Sequence, residues 1–140
     1  MRLHRDTLII DTPGERALLA VTAQVNAVIA ASGLASGLCN LLLLHTSASL
    51  LVQERDATPD LERFFANLVR EDAGWLLAGE GADDMPAHVR SALTASALTL
   101  PFEHGALALA RLQDVFLWEH RRAPKQRRLT ITLLGENADP

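Results

Sequence analysis

The sequence predicts an α+β domain, a sandwich-like core of β-sheet with a few helices on its outside. Strand-like runs cluster at both ends of the chain, helical periodicity is confined to the middle, and strand and helix do not alternate through the length. That pattern excludes a wound βαβ architecture. The 140 residues leave room for one ordinary hydrophobic core, so 1–140 is read as a single domain. With 49% apolar and 21% charged residues, the chain lies far from the composition of disordered segments.

Residues 3–10 and 15–21 are β-branched or Leu-rich runs separated by Thr12-Pro13-Gly14, a turn tripeptide, and are expected to pair as strands. From Thr22, a residue able to cap, apolar groups at Val25, Val28 and Ile29 predict a helix to Ala31, with Gly33 as its stop. The dense run Leu38–Gln53 predicts one central strand. Along it the even positions 42, 44, 48, 50 and 52 stay apolar, whereas the odd positions pass from Leu41 and Leu43 to His45, Ser47 and Ser49. One face is thus expected to turn from core to polar cleft.

Residues 60–70 carry apolar groups at 61, 64, 65 and 68, the helical spacing, with Asp60 as a cap. Gly79, Gly81, Asp83 and Asp84 make an acidic loop, and Pro86–Leu93 a short helix capped by Asp84. Four strands are expected after that: 97–102, 106–112, 115–119 and 129–134, the last alternating Leu129, Ile131 and Leu133 against Thr130 and Thr132.

The formal net charge of −4 and pI near 5.7 argue against a protein that coats nucleic acid, which needs surplus Lys and Arg. Aromatics are only 4% with no Tyr, so base-stacking platforms are scarce. The lone Cys39, among leucines, is expected to be a buried thiol in a reducing compartment. No stretch reaches the roughly 18 consecutive apolar residues of a membrane span. The charged start, Met1–Asp11, does not resemble a signal peptide. A cytoplasmic protein without a membrane partner is expected.

Three groups of residues could carry chemistry. His45 stands in His-Thr-Ser-Ala-Ser, where Ser47 and Ser49 could line an anion site, and a structural histidine is left equally open. The segment Glu80–His88 sets three carboxylates in a Gly-containing loop and an imidazole one turn beyond Asp84, a usable divalent-metal set. Arg111, Gln113 and Glu119 share the odd positions of one stretch and could line a pocket. The basic run 121–128, with Pro124 at an expected hairpin turn, reads as a solvated loop whose guanidinium groups would suit a phosphate. A Ser-His-Asp catalyst is rejected, because there is no Gly-x-Ser-x-Gly elbow.

Taken together, His45-Thr46-Ser47-Ala48-Ser49 with Gln53-Glu54, Glu80-Gly81 through Asp83-Asp84-Met85-Pro86-Ala87-His88, Gly105-x-Leu107-x-Leu109, Glu119-x-Arg121 and Gly135-Glu136 resemble the YjbQ-like family nearly end to end. Members are described as secondary thiamine-phosphate synthases. The resemblance implies an α+β sandwich assembled as a homotrimer, with His45 and His88 near a metal or anion close to a subunit boundary. Two departures bear on activity. Where the family has Tyr-x-His before the acidic loop, this chain has Trp75-Leu76-Leu77, and where it has Gly-Thr-Trp-Gln-Gly, this chain has Ala110-Arg111-Leu112-Gln113-Asp114.

The function so implied joins a pyrimidine diphosphate to a thiazole phosphate. His45 and His88 would bind a divalent metal (Zn or Mg) or phosphate, and Glu119 would act as acid/base or orient the groups that do the binding. Arg111 or Arg121 would hold the diphosphate, with Ser47, Ser49 and Gln113 lining the ligand. The alternatives are a non-catalytic trimer that holds a small phosphorylated ligand in a degenerate site, and metal-assisted phosphoester hydrolysis.

Overall fold

The computed structural model describes residues 1–77 and 79–139. Two antiparallel sheets and three helices make the α+β sandwich that the sequence predicts. Strands β1 (Arg2–Asp11), β3 (Leu34–Leu43), β5 (Ala97–Glu103), β6 (Ala106–Leu107) and β8 (Gln126–Asn137) form a five-stranded sheet in the order β1-β8-β3-β5-β6. Strands β2 (Ala17–Ala20), β4 (Ala48–Glu54) and β7 (Gln113–Glu119) form the second sheet, with β7 in the centre. The helices are α1 (Thr22–Ser32), α2 (Thr58–Leu68) and α3 (Asp84–Leu93).

Alternation builds the core. Leu41 and Leu43 of β3 with Leu129, Ile131 and Leu133 of β8 meet Leu50 of β4 and Val115 and Leu117 of β7, and α1 adds Val25 and Ile29. Helix α1 ends where expected: Gly33 takes the left-handed conformation at φ 78° and its N–H reaches Ala30 O at 3.3 Å. Gly37 and Gly135 face each other across β3 and β8, and a Cβ on either would collide with backbone of the opposite strand. The other face of the large sheet is apolar in part and open: Leu3, Leu134 and Leu38 stand in one row across three strands, each 42% exposed or more.

Several sequence expectations are corrected. The run 38–53 is two strands in different sheets, β3 ending at Leu43 and β4 starting at Ala48. The linking segment 44–47 shifts the phase, so the inward positions are odd in β3 and even in β4, and Leu42 and Leu44 are exposed. The segments 3–10 and 15–21 do not pair together; β1 pairs with β8 and β2 with β7. The strand expected at 115–119 is β7, and it is a central one, lying between β2 and β4 and buried there. Segment 106–112 keeps strand structure only at Ala106–Leu107, then turns with Gln113 N–H on Ala110 O. The basic run crosses between sheets rather than closing a hairpin, and its end enters β8. Thr22, Asp60 and Asp84 do not cap through their side chains. The Thr22 hydroxyl instead donates to Asp114 at 2.7 Å and accepts from Val115 N–H at 2.9 Å.

Candidate functional site

Strand β7 sends Val115, Leu117 and Glu119 toward the space between the sheets, and Phe116 and Trp118 toward the layer of α2 and α3. Glu119 therefore arrives at the last rung of the inter-sheet core, opposite Ala48 and Ala17. Arg127 reaches the same place from β8, as the inward residue before Leu129 and Ile131. The two are almost wholly buried, with side-chain exposures of 0% and 4%. Arg127 donates Nε to Glu119 Oε1 at 2.8 Å and Nη2 to Oε2 at 2.6 Å, and Nη2 also reaches Ser47 Oγ at 3.0 Å. Arg121 N–H adds a third donor to Glu119 at 3.2 Å. Both carboxylate oxygens are thus engaged, and the pair closes the end of the core as a satisfied buried ion pair.

The acidic loop is fastened by Arg121. Its guanidinium donates to Asp83 Oδ2 at 3.2 Å, Asp84 Oδ1 at 2.7 Å and Glu80 O at 2.9 Å. Burial works to raise the Asp83 carboxyl, yet the Arg122 N–H and the Arg121 guanidinium outweigh it and hold the group below its ordinary range. The carboxylates read as a metal set are therefore countered by a cation of the chain itself.

The three histidines of this end differ in what their rings can do, because their partners fix the proton. Arg128 N–H donates to His45 Nε2 at 2.8 Å, so the ring proton is on Nδ1, which has no partner among the described residues. Burial and the charges of Arg127 and Arg128 outweigh Glu119 and lower the His45 pKa, keeping the ring neutral at pH 7. His88 Nδ1 lies 2.8 Å from Asp84 O, which can only accept, so its Nε2 lone pair is the free one. His45 presents a donor; His88 presents an acceptor.

His120, which the sequence reading passed over, is fully buried. Arg90 Nε donates to its Nδ1 at 3.1 Å, so Nε2–H donates to Ser49 Oγ at 2.8 Å. That tautomer is opposite to the one a serine nucleophile requires. Burial, followed by the charges of Arg90, Arg16 and Arg127, lowers its pKa to about 2. Arg90, also unread, is fully buried, pairs with Glu62 and lies over the Trp118 ring at 5.4 Å, while Glu62 accepts Trp118 Nε1–H at 2.6 Å. An arginine one residue before Ser91, on the face of α3 that buries Pro86 and Ala87, is the signal that could have found it.

These contacts form a continuous chain: His88–Asp84–Arg121–Glu119–Arg127–Ser47, with His45 on the residue next to Arg127. Helix α3 is docked here by Ser91 Oγ on Ala48 O at 2.7 Å. Arg111 and Gln113 lie elsewhere. Gln113 pairs with Glu54 at the other end of β7, about 20 Å from Glu119 by strand rise. Its side chain accepts Ala110 N–H at 2.9 Å, and Arg111 lines a separate cleft of about 420 Å³ with Arg55, Asp56 and Asp114. The expected stripe of Arg111, Gln113 and Glu119 is split because position 111 precedes the strand and 119 is its buried end.

Among the described residues, no three His, Cys, Asp or Glu side chains converge as a metal set. His88 could offer Nε2, but the His45 Nε2 lone pair is spent on Arg128 N–H, so the two imidazoles do not fit a shared divalent ion.

Fold and site together define a small α+β sandwich protein with an ion-paired end flanked by two imidazoles. The sequence profile described as "UPF0047 protein YjbQ-like" matches residues 6–136, and the chain belongs to that family. It is 45% identical to a UPF0047 protein of Synechocystis over 139 residues, covering 96% of this chain and 94% of that one. It is 44% identical to the UPF0047 protein YjbQ of Salmonella typhimurium, covering 72% and 75%. Among solved structures, a conserved hypothetical protein of Thermus thermophilus superposes with a TM-score of 0.82 at 34% identity, over 92% of this chain and 99% of that one. A Sulfolobus solfataricus protein, described as YbjQ-like and of unknown function, shares the fold at a TM-score of 0.87 and 22% identity, over 96% and 99%. No helix of the described residues is long and apolar enough to cross a membrane.

Proposed function

We propose that this protein binds a small phosphorylated ligand at the ion-paired end of the sandwich and does so as a homotrimer. The observation that carries it is the His45 tautomer: with Nε2 accepting Arg128 N–H, a neutral imidazole is left offering Nδ1–H to an anion. The outward-facing guanidinium of Arg128 supplies charge on the same residue, and the His88 Nε2 lone pair can accept the proton of a phosphate monoester. The open row of Leu3, Leu38 and Leu134 supports self-association, because such a face is covered in stable proteins.

Transfer of the thiamine-phosphate synthase type is the catalytic form this site would take, and the geometry supports it less. It needs a guanidinium for the departing diphosphate. Arg121 is committed to Asp83, Asp84 and Glu80, and Arg111 stands at the far end of β7. Glu119 has no free oxygen for acid/base work. Binding without turnover is the better-supported role.

Calorimetric titration of inorganic phosphate into the intact protein and His45→Ala tests it. Loss of one charge-assisted hydrogen bond should weaken binding about tenfold or more. Equal affinity in the two proteins would refute the assignment of His45. Incubation with a pyrimidine diphosphate, a thiazole phosphate and Mg²⁺ should give no product above the uncatalysed background. Product that Arg121→Ala abolishes would restore the synthase.

A further inference from the structure

The small sheet ends, on the side away from Glu119, in the cleft of about 420 Å³ where Arg111 stands. That volume lies within the range of small-ligand cavities. The last rung of β4 and β7, where Glu54 pairs with Gln113, lines it together with Asp114. Asp114 is fixed in place: Oδ1 accepts from the Thr22 hydroxyl and Oδ2 from Arg55 Nη2, each at 2.7 Å. Its charge is thereby already answered by Arg55.

Two tied turns supply the remaining lining. One is the short 3-10 helix Arg55–Ala57, which carries Asp56 and is closed by the Thr58 hydroxyl on Arg55 O at 2.9 Å. The other is the turn 110–113, closed reciprocally by Gln113 N–H on Ala110 O at 3.0 Å and by Ala110 N–H on Gln113 Oε1 at 2.9 Å. It holds Arg111 and the exposed Leu112 at its tip, and a turn so tied presents them with little further ordering to do. The Arg111 guanidinium and the carboxylates of Glu54 and Asp56 form no ion pair with one another or with any other described residue. Charges of opposite sign thus line one cavity without neutralising each other.

We infer that this cleft binds a small zwitterion, with its carboxylate on Arg111, its ammonium group on Glu54 and Asp56, and the short hydrocarbon chain between them on Leu112. A simple anion at Arg111 would meet two unneutralised carboxylates, and a simple cation beside those would meet the guanidinium. A ligand carrying both signs answers both. The guanidinium fork also matches a carboxylate with two parallel N–H donors. The site is independent of the proposed phosphate role, since His45 precedes the first residue of β4 and Glu54 is its last.

The experiment follows the backbone amide ¹H–¹⁵N resonances of the intact protein during titration with 4-aminobutyrate, and with butyrate and butylammonium as probes of one charge each. The zwitterion should shift the resonances of residues 54–56 and 111–114 saturably and bind about fivefold more tightly than either single-charge probe. Arg111→Ala should remove its advantage over butylammonium, and Glu54→Gln with Asp56→Asn its advantage over butyrate. All three residues are exposed, so the variants are expected to fold, and the same spectra check it. Butyrate binding as tightly as 4-aminobutyrate would overturn the inference in favour of a plain anion site. Unchanged affinity in either variant, or no saturable shift at these residues, would reduce the charges to an ordinary solvated surface and overturn it as well.

Discussion

Replacing Glu119 by Gln keeps the shape of the side chain and removes its charge at the most buried point of the site. In the native chain the carboxylate accepts three hydrogen bonds, two from Arg127 and one from Arg121 N–H, and it balances a guanidinium that is 4% exposed. The amide oxygen of Gln can keep part of this set, but its NH₂ turns a donor toward donors. Leaving a buried cation without its partner costs about 3–5 kcal/mol, a large share of the roughly 5–15 kcal/mol that holds a domain together. Urea unfolding at one fixed protein concentration should show a lower midpoint with unchanged slope. The double variant Glu119→Leu with Arg127→Met removes both charges and should lose less than the single one, since a paired charge replaced by packing is often neutral. A Glu119→Gln protein within about 1 kcal/mol of the parent would refute the structural role of the pair. It would return Glu119 to the acid/base function expected from the sequence.

Three further outcomes follow from named contacts. His120 binds no proton until about pH 2 when folded, whereas the unfolded ring binds one below about 6.5, so the unfolded state holds the extra proton between those values. Stability should fall on acidification below 6.5 by about 1.4 kcal/mol per pH unit from this group. His120→Gln should lose that slope, and identical slopes from urea titrations at pH 7, 6 and 5 would contradict it. Gly135→Ala places a Cβ against Ser36 O and 2.9 Å from the Phe102 ring, and should cost about 1–3 kcal/mol, read as a lowered thermal midpoint. Leu38→Lys puts a charge in the open apolar row through which the trimer is proposed to assemble, and light scattering should then report monomers, with the circular dichroism spectrum retained.

The parts of the fold legible in the sequence are those governed by local pattern. Gly33 ends α1 as expected, α2 shows its apolar spacing, and the alternation of Leu129, Ile131 and Leu133 reads as a strand. Pairing was not legible, because β1 with β8 and β2 with β7 are decided by the whole sandwich rather than by the turn at 12–14. The break at 44–47 hid because Leu42 and Leu44, exposed on the open face, look like core residues in a list of leucines. That break bears most on the proposed site, since it sets His45 in the segment that links the two sheets, beside Arg128 N–H. His45, His88, Glu119 and Arg121 stand out in the sequence by residue type and neighbours, and in the fold they lie at one end of the sandwich, on or beside one chain of contacts. Arg127 reads as part of a solvated basic run in the sequence, although the inward alternation of β8 extended by one more step points to it. Glu62, Arg90 and His120 lie far apart in sequence and meet only through α2, α3 and the end of β7.

Ring-nitrogen spectra of uniformly ¹⁵N-labelled protein, recorded at pH 7.5 before and after addition of phosphate, test the central claim most directly. His45 should carry its proton on Nδ1, as its bond to Arg128 N–H requires, and that resonance should move on phosphate addition while the His120 signals, protonated at Nε2, stay fixed. A His45 ring protonated at Nε2, or one whose Nδ1–H ignores saturating phosphate, would contradict the account.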